Sequence, residues 1–331
     1  MNERFLFTLI FVGCCSLYCG IPPTLAQDND NPGSESEVAD SATASKILRF
    51  SNAFALAEDD VVALIGGSAM VKQVESGALE SFLTYAAGNR SVTFRDLSWQ
   101  ADTVYQRQRP RNFGSQVAML DQVGATVIVS AFGQMEVLDG IDRLPEFIRA
   151  YSKMLDDDVR PRTEKIVLVT PFPFTRKEGK SHYPDMTRYN DSIVAYSVAI
   201  RELAKRRGWI AIDLSRFDAS GLTVDGIQLT QEGHNQWATI VARQLLGERA
   251  TVLPENWNAV REQIQTKNTL WRRYWRPTNW AFVYGNRQHV PSSQDHRLDQ
   301  PRWFPKELKA IIPFIEEAET QIFDLQTKAT Q

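Results

Sequence analysis

The chain has 331 residues, 43% of them hydrophobic, which is enough for one large domain or for a domain with an extension. Its formal net charge is −3, so no overall electrostatic pull toward nucleic acid or an anionic membrane is implied. All 3 cysteines, Cys14, Cys15 and Cys19, stand near the start, which leaves the rest of the chain without disulfide or thiol chemistry.

Residues 1–26 read as a secretory signal peptide. Met1-Asn2-Glu3-Arg4 is weakly positive, 5–17 is a short apolar stretch, and Thr24-Leu25-Ala26 puts small residues where a signal peptidase reads. The stretch is too short to span a bilayer. Phe11-Val12-Gly13-Cys14 is similar to a bacterial lipoprotein cleavage box, with Phe11 where leucine is usual, so membrane attachment is expected only if Cys14 is lipidated. Either route implies an extracytoplasmic protein, periplasmic or secreted. Residues 27–45 are rich in Asp, Asn, Ser, Glu, Gly and Pro and predict a disordered linker.

From 46 to 250 buried strands alternate with amphipathic helices. Strands are predicted at 61–65, 91–97, 126–131, 165–170 and 209–214, and helices at 70–87, 112–122, 144–155, 186–207 and 232–246. The first helix carries an apolar face of Met70, Val71, Val74, Leu79, Phe82 and Leu83. The third strand is apolar throughout and is expected near the sheet centre. Pro171 and Pro173 force a loop after the fourth strand, and Gly208 caps the long helix. Strands alternating with helices predict an α/β fold, a five-stranded parallel sheet covered on both faces.

Residues 251–331 change character and predict a helical extension, too poor in apolar mass to fold alone and so packed on the α/β unit. Helices are expected at 255–267 and 305–328, the second kinked at Pro313. Between them Arg272, Arg273, Arg276, Arg287, Arg297 and Arg302 interleave with tryptophans and tyrosines. Two readings stay open: an adhesive strap in which tryptophans bury and arginines stack or pair, or a wall that binds a sugar ring or an anionic group. Nucleic acid is not an expected partner, because the chain as a whole is not basic.

The chain is organised around its first strand, which ends in Gly66-Gly67-Ser68. A hydroxyl at the carboxyl end of a central strand, beside a helix N-terminus, stands where open α/β sheets put their chemistry. The alternative is that Ser68 simply caps that helix. Three further blocks bear on the choice: Ser98-Trp99-Gln100-Ala101-Asp102, Gly133-Gln134-Met135-Glu136, and Asp225-Gly226-Ile227-Gln228 followed by Leu229-Thr230 and Gly233.

Together these segments resemble the SGNH/GDSL hydrolase superfamily, ester hydrolases with a three-layer flavodoxin-like fold. The tail, Lys267-Asn268 with Trp275-Arg276-Pro277-Thr278-Asn279, is similar to the extension of a secreted bacterial group of these proteins. The resemblance makes Ser68 the nucleophile and Asp225 the residue that orients the base. Oxyanion-hole positions fall on Ala101, where the family has glycine, and on Met135, where it has asparagine. Gln134 could replace that amide by a one-residue shift. Gln228 stands where the family has its catalytic histidine. The implied ligand is a small-molecule or carbohydrate ester, acyl or acetyl, with no cofactor.

The chemistry departs from this pattern. A glutamine has no titratable nitrogen and cannot take a proton from serine near neutral pH. Methionine donates no hydrogen bond, a loss of roughly 10²–10³ in rate at comparable sites. Ala101 keeps its N–H and is a milder change unless the turn requires positive φ. Among the 4 histidines, His234 follows Gln228 in the next helix, His182 lies in the loop after the fourth strand, and His289 and His296 lie in the extension. No metal is expected, since no His/Asp/Glu cluster shows ligand spacing and Asp156-Asp157-Asp158 reads as a solvated helix end. The expectations are an SGNH/GDSL-type hydrolase impaired at Gln228 and Met135, or a non-catalytic binding or scaffold protein that kept the cleft.

Overall fold

The apolar run after Asp60 forms strand β1, Val61–Gly66, buried along nearly its whole length. In this computed structural model the described residues are 53–176, 184–247, 253–254, 257–297, 300 and 302–329. The expected signal peptide and linker, and His182, lie outside them. Strands β2 (Thr93–Asp96), β3 (Val127–Ala131), β4 (Ile166–Val169) and β5 (Ile210–Ile212) complete a parallel 5-stranded sheet of order β2-β1-β3-β4-β5. Each predicted strand is present, trimmed at its ends.

Alternate side chains of each central strand serve opposite layers, as pleating requires. Val62 and Leu64 of β1, with Val127 and Val129 of β3, pack against α1 (Ser68–Ser76), α2 (Ala78–Ala87) and α6 (Gln231–Leu246) through Met70, Leu79 and Trp237. Ala63, Ile65 and Ile128 face the other way, toward Phe147 and Tyr151 of α4 (Leu144–Met154) and Ile193 and Tyr196 of α5 (Asn190–Arg207). A shorter helix α3 (Gln116–Val123) joins that layer through Leu120. The amino ends of β1, β3 and β4 are tied by Asp60, whose carboxylate accepts from Lys165 Nζ at 2.9 Å and from the Thr126 hydroxyl at 2.7 Å.

The helix expected over 70–87 is two helices, because Gly77 takes a left-handed conformation at φ 69° and ends α1. The expected 255–267 helix is longer: α7 runs Trp257–Trp275. A short α8, Trp280–Val283, follows it. The predicted kink is a break between α9 (Trp303–Lys309) and α10 (Ile312–Ala329), and Pro313 sits in the first turn of α10, where its missing N–H costs nothing.

Helix α7 lies against α1, α2 and the β2 edge of the sheet, and α10 lies along α7. The contact is polar as well as apolar. Lys267 Nζ, buried, donates to Glu80 Oε1 at 2.6 Å, and Asn268 Nδ2 donates to Glu80 Oε2 at 2.9 Å. Trp271 Nε1 donates to the Asp96 carbonyl at 2.8 Å, at the end of β2. Removing one partner of a buried ion pair strands the other charge. Glu80→Gln is therefore expected to destabilise the protein by about 3–5 kcal/mol in urea unfolding, with most of that recovered in Glu80→Leu/Lys267→Met.

Candidate functional site

The sheet order reverses at β1: the chain goes out to β2, then returns to place β3 on the other side of β1. That switch point opens a crevice at the carboxyl ends of β1 and β3. Gly66 and Ala131 are register partners there, so the turns carrying Ser68 and 133–136 leave the sheet side by side.

Ser68 is the first residue of α1, and the cap is Gly67, so the capping alternative for Ser68 fails. Among the described residues, the Ser68 hydroxyl makes one hydrogen bond, accepting from the Ala101 N–H at 3.4 Å. Ala101 has φ 64°, a left-handed conformation that favours glycine. The turn does require positive φ, and alanine is strained in it. The close approach of this turn also explains Gly67. A Cβ at 67 would lie 2.8 Å from the Asp102 carbonyl oxygen, leaving no room for any side chain there.

The turn is fixed by three side chains that sequence reasoning passed over. Arg276 of the extension donates to the Ser98 carbonyl at 3.4 Å and to Gln100 Oε1. Arg109 grips the Asp102 carboxylate with two bonds of 2.7 Å. Glu136, buried, accepts from the N–H of Val104 and of Gly133, each at 2.8 Å, and so joins the second and third blocks. Burial pushes the Glu136 carboxyl above the usual carboxylate range, while these N–H groups pull it back.

The remaining predicted residues diverge from their roles. Met135 is exposed and lines the cleft without a polar atom to offer. Gln134 does not take over: its Nε2 donates to the Phe172 carbonyl and its Oε1 accepts from the Phe172 N–H, both at 3.0 Å. That amide is spent on fastening the β3 turn to the exit of β4. Asp225 Oδ1 accepts from the N–H of Ile227 at 2.9 Å and of Gln228 at 2.7 Å, so it shapes its own loop. The Gln228 side chain lines the Ser68 cleft and is bonded to neither Asp225 nor Ser68.

His234 lines the same cleft from the first turn of α6. Its Nδ1 lies 2.7 Å from Gln73 Oε1, and Gln73 Nε2 lies 3.4 Å from the His234 carbonyl. A carbonyl oxygen only accepts, so Nδ1 carries the proton and Nε2 the lone pair. Burial, helped by Lys72 and Arg261 and opposed by Glu75, pushes its pKa down to about 4. His289 is exposed, and His296 stacks edge-on against Trp303 at 5.5 Å; neither lines the cleft. The cleft is small, about 170 Å³. Among the described residues no group of three or more His, Cys, Asp or Glu could hold a metal ion, and no helix is long and apolar enough to cross a membrane.

No protein-family model matches this chain, and no curated protein matches it. Solved structures do. A GDSL-like lipase from Bacteroides thetaiotaomicron is 13% identical with a TM-score of 0.42, the match covering 56% of this chain and 87% of that one. A lipase from a goat rumen metagenome is 14% identical at TM-score 0.42, covering 57% and 99%. A catalytic mutant of an acetylxylan esterase from Geobacillus stearothermophilus is 15% identical at TM-score 0.40, covering 61% and 97%.

Two outcomes follow from the geometry. Ala101→Gly relieves a left-handed alanine, which costs about 1–2 kcal/mol, and so should leave stability unchanged or raised in urea unfolding. Ala69→Gly, inside α1, should cost about 1 kcal/mol. His234 gives a pH signature. Its folded pKa of about 4 lies below the ordinary 6.5, so the unfolded chain takes up a proton that the native state refuses. Stability should be full above about pH 6.5 and fall through the window down to about pH 4, by up to about 3 kcal/mol. His234→Gln should flatten that dependence when unfolding is followed across the window.

Proposed function

We propose that this is an extracytoplasmic ligand-binding protein on an SGNH/GDSL hydrolase frame, one that holds a small-molecule or carbohydrate ester without cleaving it. The observation that carries this reading is the bonding of the Ser68 hydroxyl, which accepts one N–H from Ala101 and, among the described residues, is hydrogen-bonded to no base. Ester cleavage by serine needs a group that takes the hydroxyl proton and returns it to the leaving alcohol. Gln228 cannot do either. Asp225, which would orient such a base, has its Oδ1 held by the backbone N–H groups of Ile227 and Gln228 and, among the described residues, is not bonded to the Gln228 side chain. The third-block donor is lost as well, with Met135 apolar and Gln134 bonded to Phe172. What persists is a cleft at a helix N-terminus, with Ser68 on its wall and the Ala101 N–H bonded to that hydroxyl, a place suited to a carbonyl or carboxylate oxygen. Export rests on the leader at 1–26, and membrane association on lipidation of Cys14.

A second reading, a working ester hydrolase, draws on His234. Gln73 fixes the tautomer that leaves Nε2 unprotonated, on the wall of the same cleft as Ser68. A conjugate acid near 4 makes that nitrogen a weak base at neutral pH, which favours the binding reading. A fluorophosphonate serine probe on purified mature protein separates the two. The binding reading expects no labelling of the native protein and labelling after Gln228→His with Met135→Asn. Labelling of the native protein that vanishes in Ser68→Ala would establish the hydrolase, and its loss in His234→Gln would name the base.

A further inference from the structure

Helix α7 ends in Arg272 and Arg273, and Arg276 follows directly after it; the carboxylates around them are already committed. Arg272 takes both: its guanidinium lies 3.2 Å from Asp96 Oδ2 and is bonded to Glu75. Arg276 reaches only neutral oxygens, the Ser98 carbonyl and Gln100 Oε1. Arg273 is exposed and has no hydrogen bond or ion pair among the described residues. With Arg272 paired to both carboxylates, Arg273 and Arg276 have no ion pair among the described residues, and a helix C-terminus favours a cation by only about 0.3–1 kcal/mol.

All three arginines line one open cleft of about 780 Å³, together with Thr269, Thr278 and Asn279. Burial and the neighbouring charges of Arg272 and Arg109, opposed by the Asp96 and Asp102 carboxylates, push the Arg276 guanidinium below its ordinary pKa. A single ridge divides this cleft from the Ser68 cleft. Lys72 lines the Ser68 side and bonds at 2.7 Å to Glu75, which lines the arginine side. Gln100 lines the Ser68 side and accepts from Arg276, which lines the other.

We propose that the Arg272/Arg273/Arg276 cleft is an anion-binding subsite for an acidic sugar unit, one bearing a carboxylate or a sulfate, of an oligosaccharide that crosses the ridge into the Ser68 cleft. Planar guanidinium groups match both oxyanions with paired N–H donors, and the hydroxyl and amide side chains on the same wall suit sugar hydroxyls. The oligosaccharide rests on the carbohydrate-ligand reading of the Ser68 cleft; the anion site does not, and it holds whether or not Ser68 reacts with the serine probe.

The test is calorimetric titration of the purified mature protein, at low salt, with three probes: an oligogalacturonate, a sulfated heparin oligosaccharide and a neutral xylo-oligosaccharide. One acidic probe should bind and the neutral one should not; the tighter acidic probe names the oxyanion. Arg273→Ala should weaken that binding roughly 10-fold and Arg273→Glu further, the size expected for hydrogen bonds to a charged group. Arg206→Glu, an exposed control at the end of α5, should leave it unchanged. The proposal falls if neither acidic probe binds, if the neutral probe binds as well as the acidic ones, or if Arg273→Glu and Arg206→Glu behave alike. Because Arg273 has no partner to lose, its variants fold as the parent does, and thermal unfolding checks that directly.

Discussion

Trp99 packs under two guanidinium groups, Arg109 at 4.7 Å and Arg276 at 4.3 Å from its ring, and meets Phe113 and Trp275 edge-on. One arginine comes from the α/β unit and the other from the residue that follows α7. Their shared target is the turn that presses the Ala101 N–H against Ser68. Left alone, an alanine at φ 64° would relax into a commoner conformation. It stays because the residues on either side of it are held: Trp99 by stacking, Gln100 by Arg276, Asp102 by Arg109. The C-terminal helices therefore reach the site through the shape of this turn, without contributing a side chain to the Ser68 cleft.

The alternation of strand and helix was legible because a parallel sheet buried on both faces writes continuous apolar runs, and β1, β3 and β4 do so. Which helices break was less so. Gly77 in a helical pattern costs little as a sequence signal, and its left-handed role emerges only where α2 must turn away from α1 beneath α7. The four blocks placed Ser68, Ala101, Met135 and Gln228 around one crevice. What sequence could not supply was the bonding between blocks. Gln134 looked like a spare amide until Phe172 was found at both of its ends, and Asp225 looked like an orienting carboxylate until its own loop claimed it. Glu136 and Gln73 carried no motif, since a buried polar side chain reveals itself only through the partners that three-dimensional packing brings to it. The arginine stretch was read as strap or wall, and it divides: Arg272 and Arg276 hold the fold together, while Arg273 is left over.

On the binding reading proposed above, the cleft keeps the parts that receive a ligand's oxygen and lacks the parts that move a proton. The two are separable because they come from different places. The receiving end is backbone, a helix start and one turned-in N–H, and it survives as long as the fold does. Proton transfer, on the resemblance, would rest on one side chain at 228, and a single substitution there disturbs packing little, since that position is exposed. A site can in this way pass from acting on an ester to holding one with no change in architecture.

Strand β2 is the outer strand on the side of α7, and its polar edge is met by Lys267, Trp271 and, through Arg95, by Glu319 of α10. An uncovered edge of that kind is a template for pairing with another chain. The α/β unit and its C-terminal helices are thus not modules that a lineage could shuffle independently: a descendant that lost the tail would keep its sheet order but gain a sticky border. Inheritance of the cleft and of the tail is coupled by solubility as much as by anything the cleft binds.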